Sequence, residues 1–200
     1  MSQTLSQRAE WTEEEYLALN GNSLVEFDSG IIEVLPMPTT SHQLMLMYLH
    51  GLLHAFVSRR RLGTALFAAL RVRLWQGKFR EPDIVFMFKK NSHRIGEEYW
   101  EGADLVMEIV SAGKEDRQRD LIRKRRDYAR AGIPEYWIVD PHEERLSVLR
   151  LEGKRYVVHG TFSKGQKATS VLLPGFTVDV SEVFARRLAK SNHRRQRRRP

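Results

Sequence analysis

The chain has no cysteine among its 200 residues. That removes disulfides, thiolate nucleophiles and cysteine-based zinc or iron–sulfur sites, and leaves Asp, Glu and His as metal ligands, so any metal is expected to be a hard one. No stretch approaches the roughly 20 consecutive apolar residues of a membrane span, and the opening MSQTLSQRAE has no apolar centre of a secretory signal. A soluble, cytoplasmic protein with no membrane partner is expected. A glycine-rich phosphate loop is missing too, which argues against nucleoside-triphosphate chemistry. What is present is an apolar content of 42%, enough for the core of one ordinary domain, and a formal net charge of +8. From Arg186 to Pro200 there are eight basic residues and no acid, so this segment carries the whole net charge. It is too charged and too poor in apolar residues to fold alone. The expected layout is a single domain over 1–185 and a basic, disordered tail over 186–200, with phosphate binding and solubility as its two candidate uses.

The body reads as alternating elements. Thr12 and Glu15 form a capping box for a short first helix. LVEFDSGIIEVLP is two apolar runs around Asp28, Ser29 and Gly30, a hairpin signature. Ser41 is placed to cap a long helix, SHQLMLMYLHGLLHAFVSRRR, whose apolar residues recur at helical spacing. TALFAALRVRLWQG and REPDIVFMF read as consecutive strands turning near Gly77, and Lys89 to Gly102 as a loop. DLVMEIV, a charged helix from about Glu115 to Ala131, and EYWIVDP give strand, helix, strand, which calls for a crossover and at least one parallel pair. RLSVLRL and KRYVVHG add two more strands. The class is α/β, a mixed β-sheet core flanked by helices.

Two carboxylates stand where apolar residues are expected. Asp83 opens the run EPDIVFMF, and Glu108 sits within DLVMEIVS. By strand alternation Glu108 shares a face with Asp104, Val106 and Val110, while Leu105, Met107 and Ile109 line the other. An ionised carboxylate there costs several kcal/mol unless cations or hydrogen bonds offset it, so something cationic is expected between the two. Taken singly, each acid could equally reach solvent or an arginine. On the following helix Leu121, Lys124 and Tyr128 share one side, with Asp120 and Arg117 at its margin, so Lys124 lies on the stripe facing the sheet. A lone lysine in such a place more often snorkels to water. Together, two carboxylates can hold a hard divalent ion, and an amine beside it can act on an attacking water or offset charge on a phosphorane-like transition state. This is the chemistry of phosphodiester hydrolysis.

The segments EPDIVF, DLVMEIVS and RDLIRKRRDYARAGIPEYWIVDP, preceded by VEFDSGIIEVLPMPTTSHQ, resemble the Uma-type restriction endonucleases of the PD-(D/E)XK nuclease superfamily. The resemblance runs from about Trp11 to Phe184. It implies a restriction-endonuclease-like fold and a Mg²⁺- or Mn²⁺-dependent endonuclease, a hydrolase of phosphodiester bonds, with nucleic acid as partner, DNA before RNA, and a homodimer left open. Two residues after Glu108, where the superfamily has its lysine, this chain has Val110; Lys124 matches the lysine that the resembled branch carries on the following helix. By the same resemblance Asp83 and Glu108 are metal ligands, the Ile109 carbonyl is a third, and Lys124 is the catalytic lysine. Glu26 matches the acid before the first hairpin turn and completes the site through water. His42 and Asp120 match recurring positions, and Tyr128 lies in the same run.

Weaker signals compete. His50 and His54 have the spacing of a zinc pair but lack the glutamate of a zinc protease, which favours ordinary histidines. Asp83 and Glu108 as a glycosidase pair would need no lysine on the next helix. The rival of another class is a non-cleaving nucleic-acid-binding protein on a nuclease-like fold, which has no use for all three polar residues in apolar surroundings.

Overall fold

In a computed structural model of the protein the described residues are 10–19, 24–111, 113, 117 and 119–188, with Asp120 described in its backbone alone. The elements are α1 (Glu13–Leu17), β1 (Val25–Asp28), β2 (Ile31–Val34), α2 (Thr40–Arg59), β3 (Gly63–Phe67), β4 (Val72–Trp75), β5 (Lys78–Arg80) and β6 (Ile84–Phe88). After a 3₁₀ turn over Lys89–Arg94 come β7 (Trp100–Glu101), β8 (Leu105–Ile109), a π-helical turn (Arg119–Arg123), α3 (Lys124–Arg130), β9 (Glu135–Asp140), β10 (Arg145–Glu152), β11 (Arg155–Ser163), β12 (Lys167–Thr169), β13 (Thr177–Asp179) and α4 (Val180–Ala185).

These build an α/β molecule with two sheets. The larger has six strands in the order β11-β10-β9-β8-β6-β3 and the smaller five in the order β2-β1-β5-β4-β7; β12 and β13 pair separately. β8 and β9 run parallel, as the strand–helix–strand reading requires, and the other pairs of the larger sheet are antiparallel. Every residue of β8 and β9 is buried, because both faces of this parallel pair are covered. On one face Met45, Leu46, Leu49, Leu53 and Val57 of α2 pack on Ile84, Phe86, Leu105, Met107 and Ile109. On the other, Tyr128 and Ala129 of α3 join Val106, Val110, Tyr136 and Ile138, together with Val72 and Trp100 of the smaller sheet. The alternation expected for β8 therefore holds. A third cluster, Tyr16 of α1 with Phe27 and Phe79, closes the smaller sheet.

Local signals account for most boundaries. The capping box closes as expected: Thr12 Oγ1 accepts from the Glu15 N–H and Glu15 accepts from the Thr12 N–H. The first hairpin turns on Ser29 and Gly30, both at positive φ, and Gly30 relieves the strain at the second. The long helix is capped by Thr39, not Ser41, since it is the Thr39 hydroxyl that accepts from the His42 N–H. Three other expectations need correction. The run TALFAALRVRLWQG is not one strand: it breaks after Phe67, so β3 joins the larger sheet and β4 the smaller. REPDIVFMF divides in the same way at Glu81–Asp83, between β5 and β6. The segment Lys89 to Gly102 is more than loop, because Trp100 and Glu101 pair in parallel with Val72 and Arg73.

The expected helix from Glu115 falls partly outside the described residues. At the other end Arg186–Leu188 pack back on the fold. Arg187 donates to the Pro141 carbonyl, and the Leu188 N–H donates to Ser41 Oγ at 3.0 Å. Residues 189–200, most of the expected tail, lie outside the described residues. Among the described residues no helix is long and apolar enough to cross a membrane.

Candidate active site

The break between β5 and β6 is where the site forms. Ile84 pairs with Met107 and Val85 with Val106, and one further step in that register sets Asp83 opposite Glu108. Asp83 Oδ2 accepts from the Ile109 N–H at 2.7 Å and lies 3.2 Å from His42 Nε2. Glu108 Oε2 accepts from Lys124 Nζ at 2.9 Å and Oε1 from the Tyr128 hydroxyl at 2.5 Å. Lys124 Nζ is also 3.3 Å from Glu26 Oε1. With 3% of its surface exposed, Lys124 does not snorkel. A cation at Glu108 is thus supplied by the chain itself, in Lys124, and Asp83 has the His42 ring as its neighbour.

Behind the site the charges alternate inward. Arg80 donates to Glu26 Oε2 at 2.5 Å and to Asp127 Oδ2 at 2.7 Å, and Lys78 Nζ lies 3.1 Å from the same Asp127 oxygen and contacts Asp28. Each buried ion would cost several kcal/mol alone, so the alternation is what makes burial tolerable. Burial pushes the Glu26 pKa up, but Lys124 and Arg80 outweigh it and hold the carboxyl below its ordinary range. For His42, burial favours the neutral ring, yet the Asp83 hydrogen bond and charge, with Glu108 beyond, leave its pKa raised. Burial first, then Glu108, drives the Tyr128 hydroxyl well above its ordinary value, so it remains a donor.

Asp83, Glu108, Ile109, His42 and Lys124 line one cavity of about 40 Å³. It adjoins a wider one of about 380 Å³ along Pro36, Pro38, His42, Ile109 and Ser111. Glu26 and Tyr128 are not on the wall: they stand behind Lys124 and Glu108 and fix them. The Asp120 side chain lies outside the described residues. His50 and His54 lie on α2 away from the cavity, bonded to the Ala65 carbonyl and to Ser58, and no third His, Asp or Glu joins them in a metal-holding group among the described residues.

Two wall residues escape the sequence reading. Glu81, the acid on the other side of Pro82, is buried; burial first, and Glu26 second among the raising influences, push its pKa up to about 7. Its signal was in plain view, since EPD is acidic on both sides of the proline. Arg119, also buried, reaches the wall and donates to Glu33 Oε1 at 3.2 Å. In a plain α-helix Arg119 would not share a face with Lys124, but i→i+5 bonding in the π turn sets it one turn above. Nothing in the spacing of the sequence announces that turn.

Do the wall residues fit a hard divalent ion? Asp83 Oδ1 has no hydrogen bond among the described residues, and Glu108 sets a second carboxylate, held by Lys124 and Tyr128, on the same wall. Mg²⁺ is commonly held by one or two carboxylates with waters in the remaining positions, and the cavity is large enough for an ion with part of its hydration. No three His, Asp or Glu side chains among the described residues form a ready-made cage. The donor set suits an open, water-rich site.

No curated protein matches the chain. Among solved structures, a protein described as a putative nuclease belonging to DUF820, from Anabaena variabilis, is similar in fold: 18% identity, 88% of this chain and 98% of that one covered, TM-score 0.69. The family Uma2, described as "Putative restriction endonuclease", matches residues 13–181, a span that takes in every cavity-lining residue named above. The chain belongs to the Uma2 family of putative restriction endonucleases.

Proposed function

We propose that the protein is a metal-dependent endonuclease that hydrolyses phosphodiester bonds, DNA before RNA, at the cavity between β6, β8 and α3. One observation carries the reading: a lysine ammonium is buried between two carboxylates, Glu108 and Glu26, on the wall of a cavity that also presents the open oxygen of Asp83. A binding module has no use for that arrangement, since apolar residues of similar volume would be at least as stable there.

Asp83, Glu108 and the Ile109 carbonyl would hold Mg²⁺ or Mn²⁺. When bound, the ion lowers the pKa of a coordinated water and offsets phosphoryl charge. Lys124 is held in place by Glu108 and Glu26, where its ammonium can act on the attacking water or a phosphate oxygen. Tyr128 orients Glu108 from behind. His42 orients Asp83 through Oδ2 and leaves Oδ1 without a hydrogen bond among the described residues. Glu26 holds Lys124 in place and acts as a positioning residue rather than a ligand. Arg119 stands where it can receive a phosphate oxygen.

The test is plasmid and oligonucleotide cleavage by the parent with Mg²⁺ or Mn²⁺, followed by single-turnover rates for Lys124→Ala and Arg125→Ala. Arg125 faces away and donates to the Tyr156 carbonyl, so it is the control. Lys124→Ala should lower the rate roughly 10²-fold or more at saturating enzyme, and Arg125→Ala should not. Thermal melts of both variants separate a lost amine from lost structure. A parent that cuts no DNA or RNA with either ion, or a folded Lys124→Ala that cuts as fast, ends the proposal.

A further inference from the structure

The helix that carries Lys124 inward has an outer face that the site does not use. Lys124, Asp127 and Tyr128 are buried, whereas Arg123, Arg126 and Arg130 are exposed. At spacings of three and four these form one row on the helix surface. Their charge is poorly matched. Among the described residues neither Arg123 nor Arg130 has a carboxylate partner. Arg126, 79% exposed, has only Asp127 Oδ1 at 3.7 Å, and Asp127 is already held from inside by Arg80 and Lys78. Like charges one turn apart repel weakly, a small cost that a bound anion would relieve. The row also has a defined far end. The Arg130 guanidinium lies 4.3 Å over the Trp75 ring, which holds it extended and reduces what ordering it on a ligand would cost. At the near end the same helix delivers Arg119 to the cavity wall. The row begins at Arg123, the residue next to Lys124, and runs along the helix to Arg130, so its near end adjoins the part of the chain that lines the cavity.

We infer that the row Arg123–Arg126–Arg130 is the surface that receives the phosphodiester backbone of the nucleic acid and leads it to the cavity. The inference rests on the nuclease reading for its direction but not for its measurement. It asks for phosphate contacts and no base contacts, so it gives affinity without sequence preference. Each arginine should behave as a phosphate contact: its loss weakens binding about equally for all sequences and reduces the salt slope by about one.

The experiment is fluorescence anisotropy of the full chain with a duplex DNA and, separately, a single-stranded RNA, in EDTA, across a salt series. The variants are Arg123→Gln, Arg126→Gln, Arg130→Gln, their triple combination, and Arg150→Gln on β10 as a surface control. The triple variant should bind at least ten-fold more weakly at low salt. Its log–log slope should fall by two to three contacts, each worth about 0.9 on duplex or about 0.7 on single strands. Arg150→Gln should match the parent. A triple variant with the parental slope, or a parent that binds neither nucleic acid, overturns the inference. Cleavage by the parent, measured in parallel with Mg²⁺ or Mn²⁺, separates the two proposals. A slope loss without cleavage keeps the phosphate row and removes the nuclease reading; cleavage with an unchanged slope does the reverse.

Discussion

Glu81 shows how one residue can hold the balance of a buried site. It lies within a network that already contains Glu26 and Glu108, and its cations are shared: Arg71 is 4.0 Å away and Lys124 is committed to the other two acids. With a folded pKa near 7 against an ordinary 4.5, Glu81 binds its proton more tightly folded than unfolded. Its contribution to stability is therefore complete below about pH 4.5, declines as pH rises to about 7, and is a constant penalty above that, of order 3 kcal/mol at most. Glu81→Gln keeps an acceptor for the Val25 N–H and removes the titration. It should raise the melting temperature of the metal-free protein at pH 8 and leave it unchanged at pH 4. Equal melting of variant and parent at both pH values would mean that burial does not strain this group. Glu26 behaves oppositely, because Lys124 and Arg80 keep its carboxylate charged to below the usual carboxylate range.

The π turn is the element on which the site depends. It places Arg119 on the cavity wall and Lys124 between its acids at once, which a uniform α-helix cannot do. Ile122 is 62% exposed within it and packs on nothing that the core needs. Deleting Ile122 should therefore restore regular helical bonding, swing Arg119 off the wall and leave α3 in place. The expected result is circular dichroism like the parent's with a cleavage rate reduced about 10²-fold; a deletion variant that is fully active would show that Arg119 has no part in the reaction. This turn also marks the limit of what the sequence discloses. Asp83 and Glu108 were legible because a charge in an apolar run is a conflict between local pattern and burial, and Lys124 because regular helical spacing puts it on the stripe of Leu121 and Tyr128. Arg119 stands in a polar run where one more arginine conflicts with nothing.

The same contrast holds for the whole molecule. Strand existence was readable from alternation, and the parallel β8–β9 pair from its intervening helix. Sheet membership was not, because the apolar signal of TALFAALRVRLWQG continues unbroken through residues 68–71 while the chain leaves one sheet for the other. Those crossings put the acids and cations of one network on different sheets: Glu26, Lys78 and Arg80 on the smaller, Glu108 on the larger, with Asp83 at its edge. If either sheet opened alone, buried ions would be left unpaired, at about 3–5 kcal/mol for each broken pair. One unfolding transition is expected, with amides of Phe79 and Arg80 and amides of Val106 to Ile109 exchanging at a common free energy in native-state hydrogen exchange. Separate transitions would show the sheets to be energetically independent. A practical rule follows for anyone who wants a disarmed form of this protein to trap its substrate. Lys124→Ala alone removes the amine and also the clasp, and what it traps will be loosened as well as inert. Lys124→Met with Glu108→Gln removes both charges together and keeps an oxygen for Tyr128, so the amine proposed to act is lost without leaving Glu108 as an unpaired buried charge, and Arg80 still pairs with Glu26.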